Sequence, residues 1–583
     1  MMAPSFNAID HTRSFRSISL TLGFRMRKEI ALAATVGNNS SVMCVTRPAQ
    51  PRLQRAVAAF VLCAIAFVSI AEAAPNRADV ILRNASIIDG SGTPAVRGDV
   101  AISGDRIVAV GSVPFSAPTE IDLQGRILAP GFIDVHTHVE DLAEVPAAEN
   151  FIRMGVTTLV TGNCGGSALD VAEFFRELEA ARLSLNLATL VGHNTVRAQV
   201  MGGSFARPPT AAELDQMRAL VAAAMRAGAV GLSTGLIYLP GTFARTDEIV
   251  ALAKVAAESG GLYASHMRYE NARILEAIEE ALTIGRAAGT PVQISHIKLS
   301  TPAAWGLTRP VIERLARARA EGIQVAHDQY LYTASSTSLG TTIPDFAREG
   351  GRERLRERLD DPAERNRIRS EMKATLQRGQ RSDYTYAVIA NFTEDPSLNG
   401  MSVPEAARKL YGSDSLEAQL DAILQVELRG GASAVFHGMS EPNLREFLAL
   451  PLTMIASDSG ARRMGVGVPH PRGYGNNVRF LAHYVRDERL MSLEEAVRRM
   501  TDLPARQFPL GQRGLIRAGF VADLVSFDLA RLVTQSTFRD PHHHAEGMDH
   551  VIVAGQFVIR DGTLTGHRPG RTVRREARIL PTP

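Results

Sequence analysis

The sequence predicts an α/β protein: a (β/α)8 TIM-like barrel with a small β-sandwich domain built from both chain ends. Three observations predict it. From residue 131 onward, short apolar or β-branched runs alternate with helical stretches, the rhythm of parallel strands joined by crossover helices. Polar residues with metal-binding chemistry recur where those runs end. The segments before 131 and after 510 share another texture, alternating apolar and polar residues broken by turns such as Asp89-Gly90 and Gly104-Asp105.

Taken in order, residues 1–73 read as an N-terminal extension and signal peptide. An apolar run at 56–70 follows Arg52 and Arg55 and ends in Ala71-Glu72-Ala73, a small-x-small cleavage pattern. The run is short for a membrane span, so the protein is expected to be exported, periplasmic or secreted, with no stable span after removal. Met43 would give a signal of ordinary length, leaving Met1 and Met43 as alternative starts. The formal charge of +3 comes from this region. It holds 8 Lys/Arg and 3 Asp/Glu of the chain's 64 and 61, which leaves 56 against 58 beyond it. That balance gives no reason to expect nucleic acid as a partner. Only Cys164 of three cysteines lies beyond residue 73, so the remainder has no internal disulfide.

Residues 74–130 form the first part of the β domain. The barrel is expected over 131–510, with an Arg-rich, partly helical insertion at 342–430, and the β domain is completed by 511–583. Within the barrel, strands are read at 156–161, 187–191, 229–232, 262–265, 292–295, 324–326, 432–436 and 452–455. A helix at 211–227 opens on a capping box, Thr210 with Glu213.

In such barrels functional groups gather at the C-terminal strand ends. His136 and His138 are two residues apart and share one strand face. Cys164 sits in the Gly-rich loop after 156–161, His266 and His296 end two later strands, and Asp458 ends another. One histidine at a strand end is an ordinary hydrogen-bonded residue. Six such groups on one rim point to a metal, and a thiolate among them favours Zn2+ over Mg2+ or Ca2+. Four imidazoles, a thiolate and a carboxylate exceed one tetrahedral ion, which allows a tight site and a second, weaker one.

These residues carry a resemblance. PGFIDVHTH (130–138), GVTTLVTGNCGG (155–166), GHNTVR (192–197), SHMRYE (265–270), ISHIK (294–298), DQYLYTASST (328–337), SDS (457–459) and HPRGYG (470–475) resemble the amidohydrolase superfamily, and within it the N-acyl-D-amino-acid deacylase (D-aminoacylase) family. The resemblance implies tight zinc on Cys164, His266 and His296, and a weaker position at His136 and His138. It implies Asp458 as the catalytic carboxylate and Arg472 as the partner of a substrate α-carboxylate. Tyr330 and Ser336 match substrate-contacting positions, with Tyr332 and Ser338 as the alternative register, and Lys298 is a substrate or structural contact. The partner implied is a small N-acyl amino acid. Many superfamily members bridge two metals with a carboxylated lysine. Here the only lysine between His138 and His266 is Lys254, inside a predicted helix, and Cys164 is the expected substitute. The alternatives are a dipeptidase or cyclic-amide hydrolase of the same superfamily, and a catalytically silent binding protein on the same fold.

Overall fold

A computed structural model describes residues 77–576; the extension and signal segment lie outside the described residues. We number the barrel strands β1 (Phe132–Asp134), β2 (Val156–Thr161), β3 (Asn186–Thr189, resumed at Val191–Gly192), β4 (Gly231–Gly235), β5 (Leu262–His266), β6 (Val292–Ile294), β7 (Val325–Gln329) and β8 (Thr453–Ile455). They pair in parallel in that order. The ring closes where the Asp458 N–H donates to the His136 carbonyl at 2.9 Å and the His138 N–H to the Ser459 carbonyl at 3.0 Å. All eight strands are buried throughout, as parallel strands covered by helices must be. That is why they read as apolar and β-branched runs rather than alternating ones.

The helix expected at 211–227 is present with those bounds. Helix Ala211–Ala227 has both bonds of the Thr210–Glu213 capping box and ends at Gly228 in left-handed backbone, φ 117°. The two chain ends share one nine-stranded sheet. Strand Leu524–Phe527 lies antiparallel to Ile127–Pro130, which runs directly into β1. Leu82, Val100, Leu128, Leu524 and Ile552, drawn from both ends, pack into a common apolar cluster.

Between β7 and β8 the chain builds a subdomain with its own apolar cluster, including Leu355, Ile368, Met372, Phe392 and Ile423. Here one expectation fails. The run read as a barrel strand at 432–436 is Ser433–Phe436, and it pairs antiparallel with Ser335–Ser338 and Ala387–Asn391. A short apolar run has the same composition in a buried parallel barrel and in the middle of a small antiparallel sheet, so periodicity does not separate them. Among the described residues no helix is long and apolar enough to cross a membrane.

Candidate metal centre

The residues singled out in the sequence converge on one rim. His136 and His138 follow β1, Cys164 follows β2, His266 ends β5, His296 follows β6 and Asp458 follows β8. Three of them hold left-handed backbone: Cys164 at φ 53°, His296 at 36° and Asp458 at 50°. That conformation costs a non-glycine residue roughly 1–2 kcal/mol and persists only where the surroundings impose it. The surroundings are visible. The His296 N–H donates to the Asp328 carboxylate at 2.8 Å, and the Asp458 N–H to His136 as above. Gly235 leaves room for the Cys164 loop, since a Cβ there would lie 2.0 Å from the Cys164 carbonyl oxygen.

The Cys164 sulfur lies 3.3 Å from His136 Nε2, 3.5 Å from His266 Nδ1 and 3.6 Å from His296 Nε2. His138 Nε2 lies 3.2 Å, and His136 Nε2 3.6 Å, from Asp458 Oδ1. Burial disfavours the Cys164 thiolate, but the charges of His136 and His266 outweigh it and hold the thiol well below its ordinary range. Burial likewise opposes charge on Asp458, and the Arg472 guanidinium with the His138 contact keeps it a carboxylate.

Zinc fits this donor set. Bond lengths of about 2.3 Å to sulfur and 2.0–2.1 Å to nitrogen give a sulfur–nitrogen edge of about 3.6 Å in a tetrahedron. The distances from Cys164 to His266 and His296 match it. Ligand atoms of Cys164, His266 and His296 lie within 4.8 Å of one another, as do those of His136, His138 and Cys164. Cys164 belongs to both groups, the position expected of it in place of a bridging lysine. Lys254 is exposed on helix Thr246–Glu258, away from the rim.

Two cavities meet at Asp458, Tyr238, Ser336 and Thr337. One, about 200 Å3, reaches His266 and His296; the other, about 570 Å3, reaches His138 and Cys164. Ser336 lines both, whereas Ser338 caps a turn at Gly340. Tyr330 is buried beneath Arg472, whose guanidinium carbon lies 4.4 Å above its ring, and its hydroxyl donates to Met439 Sδ at 3.4 Å. Tyr332 packs instead against His470 and Phe538. Arg472 Nη2 is 2.9 Å from Asp458 Oδ2, while its Nε and Nη1 are buried without a partner. Lys298 lines the smaller cavity, with its ammonium 2.5 Å from Glu270 Oε1 and 2.8 Å from His296 Nδ1.

Three carboxylates of the site were not singled out in the sequence. Glu270 Oε1 lies 3.1 Å from His296 Nδ1 and 3.8 Å from His266 Nε2. Burial opposes its ionisation, yet Lys298 and the two imidazoles bring its pKa to about 2. Asp328 stands 3.2 Å from His136 Nδ1. Asp134 accepts from the His136 and Ser457 N–H groups, and burial lifts its pKa to about 7. The signals were present. Asp134 shares the strand face of His136 and His138, and Glu270 follows His266 by four residues. Carboxylates that orient histidine ligands are part of most metal sites.

Barrel and donor set define a metalloenzyme of the barrel class. The pattern of the Amidohydrolase family matches residues 119–559, and the chain belongs to that family. Within it, the chain is 36% identical over 534 residues to an N-acyl-D-glutamate deacylase of Alcaligenes xylosoxydans xylosoxydans, covering 87% of this chain and 99% of the relative. It is 34% identical to the D-aminoacylase of the same organism, covering 86% and 98%. Among solved structures, the N-acyl-D-glutamate deacylase of Bordetella bronchiseptica, complexed with zinc and a phosphonate mimic of the tetrahedral intermediate, superposes with a TM-score of 0.73. That pair is 33% identical, and the alignment covers 85% of this chain and all of the other.

Proposed function

We propose that this protein is a zinc-dependent N-acyl-D-amino-acid deacylase, hydrolysing the amide to a carboxylate and a free D-amino acid. The observation that carries the reading is Cys164 set between two histidine pairs with Asp458 at the mouth. Zinc, when bound there, supplies a Lewis acid that polarises a carbonyl and acidifies water. Cys164, His266 and His296 would hold one ion, and His136 and His138 a second, weaker one.

The chain's own groups perform the rest. Asp458, held as a carboxylate, takes the proton of the attacking water and passes it to the amide nitrogen as the C–N bond breaks. Arg472 fixes one Asp458 oxygen through Nη2, and its unpartnered Nη1 is left to donate to the substrate's α-carboxylate. Tyr238 and Ser336, at the junction of the cavities, border the scissile amide. Glu270 fixes His296 and neutralises Lys298, so that the ammonium does not repel the metal.

The test is a panel of N-acetyl-D- and N-acetyl-L-amino acids on the zinc-loaded protein. D-substrates are expected to turn over, a chelator to abolish the activity and zinc to restore it. Preference for the L-series, or turnover untouched by chelation, would sink the reading. Export is part of the same proposal, supported by the segment at 56–73. Recovery of protein beginning near Ala74 outside the cytoplasm tests it.

A further inference from the structure

A second cluster of buried charge lies behind the larger cavity, apart from the metal ligands. Glu248 stands in the first turn of helix Thr246–Glu258 and is 4% exposed. Its Oε1 accepts from His193 Nε2 at 2.9 Å and from Arg197 Nε at 3.0 Å. Both partners are fully buried on helix His193–Met201, whose Asn194, Thr195 and Ala198 line that cavity. The other Glu248 oxygen is buried without a partner. Burial also works against the charge of Arg197, and Glu248 offsets that only in part. A carboxylate and a guanidinium held this way are a standing cost to the fold.

The cluster holds two loops of the active site. On one arm, His193 Nδ1 lies 3.3 Å from Asn194 Oδ1. The Asn194 amide is oriented by its Nδ2, which donates to the carbonyls of Gly235 at 3.0 Å and Tyr238 at 3.4 Å. Its oxygen therefore faces His193, and the ring donates at both nitrogens, with the Glu248 carboxylate as one acceptor. Tyr238 borders both cavities, its ring centroid 4.8 Å from that of His266 and its hydroxyl accepting from Thr337 at 3.0 Å. On the other arm, Arg197 Nη1 and Nη2 donate to the carbonyls of Phe205 at 3.3 Å and Arg207 at 2.7 Å. The same loop carries Ser204, which lines the larger cavity. It is moored to the subdomain, where the Gly350 N–H donates to the Ser204 carbonyl at 3.0 Å and the Ala206 N–H to Glu349 at 2.8 Å. The Cys164 loop is tied to the helix separately, by the Thr195 N–H on the Gly165 carbonyl at 3.1 Å.

We propose that Glu248 is a positioning residue for the reaction: through His193 and Asn194 it sets where Tyr238 stands against the scissile amide, and through Arg197 it sets the wall of the larger cavity. This rests on the deacylase reading and adds to it a residue that touches neither substrate nor metal. Because Glu248 acts through two arms, its effects are separable. The arm to Tyr238 acts where bonds change and is read in kcat. The arm to Ser204 acts where the substrate is held and is read in KM.

The experiment measures kcat, KM and zinc content with the N-acetyl-D-amino acid that the zinc-loaded wild type turns over best. His193→Phe cuts the first arm and is expected to lower kcat by ~10–100-fold, the scale of a small misplacement at the reacting bond, with a lesser change in KM. Arg197→Met cuts the second and is expected to raise KM by ~5-fold, with a lesser change in kcat. Glu248→Met should show both effects, and Glu248→Gln, which keeps an acceptor at Oε1, should recover most of the activity. Combining Glu248→Met with Tyr238→Phe should lower kcat by less than the product of the two single losses, because both act on one group. Zinc content and thermal melting identify the variants that fold. His193→Phe leaves the Glu248–Arg197 pair in place, so it decides the matter if Glu248→Met does not fold. A kcat for His193→Phe within ~3-fold of wild type overturns the inference while leaving the deacylase reading intact. So does a loss of kcat that tracks a loss of zinc, or losses at Glu248 and Tyr238 that multiply. Absence of turnover in the wild type overturns both.

Discussion

The metal rim and the subdomain wall face the same cavity and are built on opposite principles. On the rim, Cys164, His266, His296 and Asp458 are each no more than 8% exposed, and each is placed by the end of a barrel strand. Three of the four sit in costly backbone, and every charge has a counter-charge. On the wall, Thr301, Thr341 and Arg381 are half-buried, and threonine hydroxyls stand among Leu376, Tyr384, Tyr386 and Phe436. The rim fixes reacting groups to a fraction of an ångström. The wall is carried by a unit with its own apolar cluster. Its residues can therefore change without moving a ligand, which separates what the protein does from what it does it to.

That separation is open to direct attack. The largest effect is expected at Asp458. Asp458→Asn should lower kcat by ~10^3–10^4-fold with zinc still bound, because proton transfer is lost while the ligands stay in place; stopped assays with metal analysis decide it. Cys164→Ala should weaken zinc by more than ~100-fold in a competitive chelator titration, since it removes a ligand rather than a support. Glu270→Gln keeps the shape but drops the charge behind His296 and His266, and should weaken zinc by ~10–100-fold in the same titration. A result for Glu270→Gln equal to wild type would place Glu270 with the wall rather than the rim.

The barrel beneath the rim carries its own pH sensitivity. His327 is buried, 2.7 Å from Thr453 Oγ1, and burial followed by the charge of Arg319 lowers its pKa to about 3 from the ordinary 6.5. The fold thus favours the neutral imidazole. Its contribution is complete above about pH 6.5 and is lost as pH falls towards 3, because the unfolded chain takes up the proton first. Urea unfolding should lose about 1.4 kcal/mol per pH unit across that window, and His327→Gln should remove that share of the slope. The smallest effect belongs to the wall. Thr375→Val should raise KM by ~5-fold, the scale of one hydrogen bond, with zinc affinity unchanged.

The same division decides what could be read from sequence. His136, His138, Cys164, His266, His296 and Asp458 were legible because strand ends of one barrel share one rim, so position along the chain translates into position in space. The carboxylates that orient them carry a fainter signal, Asp134 and Glu270 standing two and four residues from a ligand. The wall was not legible. Arg381 meets Tyr386, Ser300 and His437 only after the subdomain has folded onto the barrel, and no local pattern marks which of its many arginines faces the cavity. The place of strand Ser433–Phe436 is hidden for the same reason, since its partners are set by tertiary pairing.

The closure of the ring between His136 and Asp458 bears on how the protein is made. His138 and Asp458 are 320 residues apart in the chain, yet 3.2 Å apart in space. During synthesis the first two histidines leave the ribosome long before the aspartate that completes their surroundings. A nascent chain therefore offers a metal only scattered imidazoles and a thiol, and the finished pocket comes into being when β8 docks beside β1. Metal loading is in this sense a report that the last barrel strand has arrived, and a chain truncated before residue 453 is expected to lack the centre however much of the barrel it retains.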